Sequence, residues 1–212
     1  MLLDLVLPLE CGGCGTAATR WCDHCRRALA VRPGEPVLVS PRLDPGLPVF
    51  SMGRYAGVRR EVILAVKERG RADLVGPLGL VLGSGLRRLA DWGILPTPVT
   101  VVPAPTRSSA ARRRGGDPLT AAAMAADVPG VEVVRALRMR AFTRDSVGLS
   151  AGQRQVNLAG RVRAAHVAAG LVDRDVVLVD DVVTTGATAC ESVRVLQTVG
   201  ARVIAVLVIA HA

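Results

Sequence analysis

The most constraining stretch of the chain runs from Val176 to Thr188: Val-Val-Leu-Val, then Asp180-Asp181, then Val-Val-Thr-Thr-Gly-Ala-Thr. Four apolar, mostly β-branched residues suit a strand covered on both faces, as in a parallel sheet. The apolar positions Ala189, Val193, Leu196 and Val199 then recur at helical spacing, so a helix follows over 189–199. Strand, acidic edge, small-residue loop and helix, in that order, specify a parallel α/β unit. Ligands in such sheets collect beyond the carboxyl ends of the strands, where this order puts Asp180 and Asp181. The loop suits an anion. Gly186 and Ala187 let backbone N–H groups approach an oxyanion, Thr184, Thr185 and Thr188 add hydroxyl donors, and the helix N-terminus brings its positive end. A merely structural turn would not need two carboxylates at the end of a buried strand, where they cost desolvation. A phosphate-receiver domain would carry its paired aspartates near its start, and a Walker B strand would need a Gly-x-x-x-x-Gly-Lys-Ser/Thr loop that the sequence lacks.

A chain of 212 residues, half of them apolar, holds one sizeable α/β domain and a small appendage. Its formal charge of +9 is almost all arginine, Lys67 being the sole lysine. Such an excess suits acidic partners such as nucleotides, pyrophosphate or nucleic acid, although biased codon usage gives the same composition. Aromatics at 2% weaken any single-strand binding that depends on base stacking. No apolar run reaches the ~20 residues of a membrane span. Met1 to Pro8 is short, carries Asp4 and lacks the basic start and cleavage site of a secretory signal, so a cytoplasmic protein is expected.

Four of the five cysteines, Cys11, Cys14, Cys22 and Cys25, form C-x2-C-x7-C-x2-C. Two such knuckles offer four thiolates to a tetrahedral ion, and a disulfide across two intervening residues is disfavoured. In a reducing compartment this predicts a closed, structural Zn²⁺ site, with redox or iron–sulfur use as alternatives. His24 reads as a solvent-facing neighbour and Cys190 as a small core residue. Residues 1–30 are thus a zinc module. Residues 31–48, with five prolines, read as an extended connector, and 49–212 as the main domain.

Along that domain the patterns predict a strand over 49–55, a helix from Gly57 to Arg69 stopped by Gly70, and a second helix from Asp73 to Leu89. A strand over 99–102 ends at Pro103-Ala-Pro105, before a loop holding Arg107 and Arg112-Arg113-Arg114. Next come a helix from Leu119 to Ala126, capped through Asp117 with Pro118 in its first turn, and a strand over 131–134. Ser150 with Gln153 forms a capping box that predicts another helix start.

The run into Asp180-Asp181 and Thr-Gly-x-Thr resembles the signature of the type I phosphoribosyltransferases. The resemblance implies that Asp180 and Asp181 bind the ribose 2′ and 3′ hydroxyls of phosphoribosyl pyrophosphate (PRPP). Thr184, Thr185, Gly186, Ala187 and Thr188 would cradle its 5′-phosphate. Tyr55-Ala-Gly, the following helix, Val66-Lys67-Glu68-Arg69-Gly70-Arg71 and the four-cysteine site extend the resemblance to the ComF family, phosphoribosyltransferase-like proteins associated with DNA uptake during competence. The implied fold is a parallel sheet of about five strands flanked by helices, Rossmann-like, preceded by the zinc module.

By the same resemblance Arg114, supported by Arg107 and Arg112, would hold pyrophosphate through the paired hydrogen bonds of the guanidinium, and Lys67 joins the PRPP-binding set. Phe142, in the region resembling the family's mobile hood, is a candidate for stacking on the base. Mg²⁺ would accompany PRPP on hard oxygen ligands. The chain departs from the family pattern at Gly116-Asp117-Pro118 and at Ser146. Thr184 stands where 6-oxopurine transferases carry an aspartate base, which leaves orotate-like, adenine-like or other acceptors. The expected function is phosphoribosyl transfer to or from a nucleobase. The alternative is a PRPP- or nucleotide-binding scaffold working with single-stranded DNA or a competence helicase. A homodimer is left open.

Overall fold

The computed structural model describes residues 9–105, 117–140 and 160–212. Its strands are β1 (Val37–Val39), β2 (Val49–Ser51), β3 (Val99–Pro103), β4 (Val131–Val133), β5 (Leu137–Met139), β6 (Val162–Ala164), β7 (Asp175–Val183) and β8 (Arg202–His211). The helices are α1 (Asp23–Leu29), α2 (Gly57–Lys67), α3 (Val75–Asp91), α4 (Pro118–Met124) and α5 (Ala187–Thr198). Six strands form one sheet in the order β1-β2-β8-β7-β3-β4. The five from β2 to β4 run parallel, as the sequence predicts, and β1 adds an antiparallel edge.

The centre of the sheet is dictated by composition. Val176 to Val179 and Ala205 to Ala210 are at most 1% exposed, because helices cover both faces. Unbroken apolar runs are what such doubly covered strands require. Each large aliphatic side chain buried there stabilises the fold by about 1.5–3 kcal/mol.

Helix α2 buries Val62, Ile63, Ala65 and Val66, and Gly70 at φ 65° ends it by letting the Arg71 N–H turn back to Ala65 O, 3.1 Å away. Helix α3 carries several glycines despite their cost of about 1 kcal/mol each in a helix. A Cβ on Gly83 would run into the Ala126 carbonyl, so small residues set the close packing of α3 on α4.

The structure corrects the sequence expectations at several places, among them the strand expected over 49–55, which ends at Ser51. Strand β7 does not end at the acidic pair; it runs on to Val183, because Val182 and Val183 stay in register with Ala210 and His211. Asp117 occupies the position before α4 without a side-chain capping bond, and its carboxylate instead accepts from the Thr120 hydroxyl at 2.6 Å. The proline-rich stretch is anchored rather than merely extended. It contributes β1, and Arg88 donates to the carbonyls of Arg32 and Glu35 at 2.5 and 2.6 Å. The strands β5 and β6, which the patterns did not predict, form a separate antiparallel ribbon.

Candidate functional site

The site is built at the carboxyl end of the parallel sheet. Asp180 and Asp181 are consecutive on β7, so the pleat sends them to opposite faces. Asp181 meets α2: its Oδ2 lies 2.6 Å from Lys67 Nζ, beside Ile63, Leu78, Leu119 and Ile209. Burial alone would lower Lys67, but the adjacent Asp181 carboxylate outweighs it and raises the lysine above its usual value. Asp180 behaves differently. Burial first, then the Asp181 charge, push it up to about 8, against the Asp181 N–H that its Oδ1 accepts at 2.8 Å. One carboxylate thus pairs with a lysine, and burial pushes its neighbour towards the neutral form.

Past Val183 the chain turns sharply through Thr184 and Thr185, both exposed, into Gly186 at φ 85° before α5. That left-handed conformation is open to glycine at little cost. Space demands glycine as well: a Cβ would run into the Leu43 carbonyl and come within 2.9 Å of Pro41 Cβ. Leu43 braces the turn further, its N–H donating to Thr185 O at 2.8 Å and its carbonyl accepting from Cys190 Sγ at 3.5 Å. Cys190 is accordingly a half-buried packing residue. The Thr185 hydroxyl accepts the Ala187 N–H at 3.4 Å, and the first-turn N–H groups of α5 open onto the loop.

On the other side of β7 the Ala104 N–H donates to Val179 O at 2.7 Å, so the end of β3 stands next to Asp180. A cleft of about 850 Å³ starts there, at Pro103 to Pro105, and extends to Arg135 and Arg138. Arg107, Arg112, Arg114 and Phe142 lie outside the described residues, as does the capping box at Ser150 and Gln153.

The four cysteines of the amino-terminal module converge, with sulfur atoms all within 4.8 Å of one another. Cys11 and Cys14 each lie 3.6 Å from Cys22 Sγ. A tetrahedron of Zn–S bonds has edges of about 3.8 Å, close to these two distances, so the four sulfurs could hold a zinc ion. The N–H of Cys22 donates to Cys11 Sγ, and that of Cys25 to Cys22 Sγ, each at 3.4 Å. Burial raises Cys11, but the N–H groups of Cys22, Gly13 and Cys14 prevail and bring it down to about 6. Burial and the neighbouring sulfurs push Cys25 up. Crowding of this kind is relieved by a cation. His24 is exposed, as expected. Arg71 ties the module to the main domain, donating to the carbonyls of Glu10 and Arg20 at 2.9 and 3.0 Å while paired with Asp73.

Residues 118–212, which contain the acidic pair, the loop and the last three sheet strands in chain order, match the family model described as the phosphoribosyl transferase domain. The fold is of phosphoribosyltransferase type. Among solved structures the chain is similar to the allosteric regulatory enzyme of purine biosynthesis, at 21% identity and a TM-score of 0.38, over 65% of this chain. The match takes in 26% of that longer chain, so this protein spans about a quarter of it. No curated protein matches the sequence.

The sequence passed over Leu43, which braces the loop, and Arg71, which joins the cysteine module to the main domain. Each acts through a partner at least 50 positions away or through backbone atoms, which residue type and spacing do not reveal; Arg71 stood in a quoted motif with no sign of its partners.

Proposed function

We propose that the protein binds PRPP with Mg²⁺ at the carboxyl edge of β7 and transfers a phosphoribosyl group to or from a nucleobase. The observation that carries this is the union of a lysine-held acidic pair with a glycine-braced turn and a helix N-terminus, inside the segment that matches the phosphoribosyl transferase domain. In this reading Asp180 and Asp181 receive the ribose 2′ and 3′ hydroxyls, and Thr184 to Thr188 hold the 5′-phosphate. Arg114, with Arg107 and Arg112, is assigned to the pyrophosphate by the family resemblance, and Lys67 fixes Asp181 for the diol. Mg²⁺, carried on pyrophosphate and ribose oxygens, supplies neutralisation of the leaving group. The protein's part is to position reactants and exclude water, which requires no covalent nucleophile. The cysteine cluster is a structural zinc site. The zinc module, Tyr55-Ala-Gly and the Lys67 helix favour the ComF family and a cytoplasmic protein.

One observation favours a second reading, a PRPP-binding scaffold for nucleic acid. On the ribbon, Arg138 stands directly opposite Arg163, a like-charge pair that costs stability unless an anion lies across it.

The test is pyrophosphate release from Mg²⁺–PRPP with a panel of nucleobases. Release with one base, abolished by Asp180→Asn with Asp181→Asn, supports transfer. No release with any base, alongside single-stranded DNA binding that falls steeply with salt, supports the scaffold.

A further inference from the structure

Asp181 stands where there is little room for a hydrated metal ion. It lines a cavity of about 10 Å³ together with Lys67 and the apolar side chains of Ile63, Val66, Leu78, Leu119 and Ile209. That is space for about one water molecule, whereas Mg²⁺ keeps several waters and demands near-octahedral oxygen ligands. The place beside the carboxylate is already taken. Lys67 Nζ lies 2.6 Å from Asp181 Oδ2, on a side chain that leaves the last turn of α2, where Ile63 and Val66 anchor the helix in the core. Lysine suits such a place, because its carbon stem can lie along apolar walls while its ammonium reaches a polar partner.

Charge and donor set point the same way. Burial works against the Lys67 charge, but Asp181 and then Asp180 outweigh it, so the ammonium is retained. Asp180, pushed towards the neutral form, has one oxygen engaged by the Asp181 N–H at 2.8 Å and adds little negative charge for a metal to answer. Among the described residues the four cysteines are the one group of three or more side chains placed to hold an ion, so the acidic pair has no third ligand there. A divalent cation brought to Asp181 would also meet the lysine ammonium at close range, where like charges repel strongly.

We infer that Lys67 is the resident cation of the acidic pair, so that the ribose 5-phosphate part of a ligand is bound there without a divalent ion. The inference deepens the transferase reading and rests on it: the ribose hydroxyls meet the acidic pair, the 5′-phosphate meets the loop from Thr184 to Thr188, and Mg²⁺ is required only when pyrophosphate is present. The ligand class widens accordingly. Sugar phosphates and nucleotides that carry ribose 5-phosphate but no pyrophosphate bind whether or not Mg²⁺ is supplied.

The experiment uses the zinc-loaded full chain in buffer stripped of other divalent ions beforehand. Calorimetry measures ribose 5-phosphate with and without added Mg²⁺ on wild type, Lys67→Met and Lys67→Arg, and Mg²⁺–PRPP on wild type in parallel. The expected wild-type affinity for ribose 5-phosphate changes by less than about threefold when Mg²⁺ is added. Methionine keeps the length and packing of the stem and removes the charge, so Lys67→Met should bind ribose 5-phosphate about tenfold or more weakly without metal. Lys67→Arg, which keeps a cation, should recover part of that loss. A wild-type affinity that rises more than about threefold with Mg²⁺, or Lys67→Met within about threefold of wild type, overturns the assignment and leaves the transferase reading standing. So does a wild type that binds Mg²⁺–PRPP and no ribose 5-phosphate. The wild-type titrations decide the matter even where a variant fails to fold. A wild type that binds neither ligand overturns both.

Discussion

Asp180 carries the cost of the site. A carboxyl raised to about 8 in the folded chain binds more protons there than in the unfolded chain. Its contribution to stability is therefore complete below about pH 4 and is lost as pH rises towards 8. Asparagine keeps the acceptor for the Asp181 N–H and removes the charge. Asp180→Asn should therefore gain on wild type by on the order of 2 kcal/mol between about pH 5 and pH 8, read from urea midpoints; a difference that does not change with pH contradicts the protonation assigned here. The residues of this site were legible in part. Asp180, Asp181 and Gly186 declare themselves because carboxylates and a glycine sit at fixed places after a buried strand. The brace on Gly186 was hidden, since the Leu43 groups that contact it are backbone atoms and any side chain at 43 would spell them.

At the scale of elements, β7, the loop and α5 follow from composition alone, and so does the start of α2. The ribbon and β1 do not. Three-residue strands carry too few positions to show an alternation, and the prolines around β1 argue for a connector. Strand β8 has the longest buried run but no motif, so its composition declares a core strand and nothing more. Arg71 shows what joins elements here. Its guanidinium is shared between Asp73 and two carbonyls of the cysteine module, a fork that an ammonium group cannot reproduce. Arg71→Ala should cost about 2 kcal/mol in chemical denaturation, with Arg71→Lys recovering less than half. Full recovery by lysine would show that charge alone makes the joint.

For the whole molecule, the cysteine module and the sheet form a continuous structure. A Cβ on Gly12 would run into Leu74, which is fully buried. Removing zinc with a chelator should release one equivalent of metal and lower the melting temperature by several degrees, since the buried Cys11 and Cys25 lose the ion that reconciles them. Because α2 holds Lys67 by its own helical bonds, PRPP affinity should stay within about threefold of the loaded protein. A collapse of affinity on chelation would instead make the metal part of the site. The most direct measurement for the whole account is calorimetric titration of Mg²⁺–PRPP into zinc-loaded wild type and into the Asp180→Asn, Asp181→Asn double variant. Saturable binding with one site per chain, lost in the variant while its fold is retained, is the predicted result. Absence of binding to a folded, zinc-loaded wild type would contradict it.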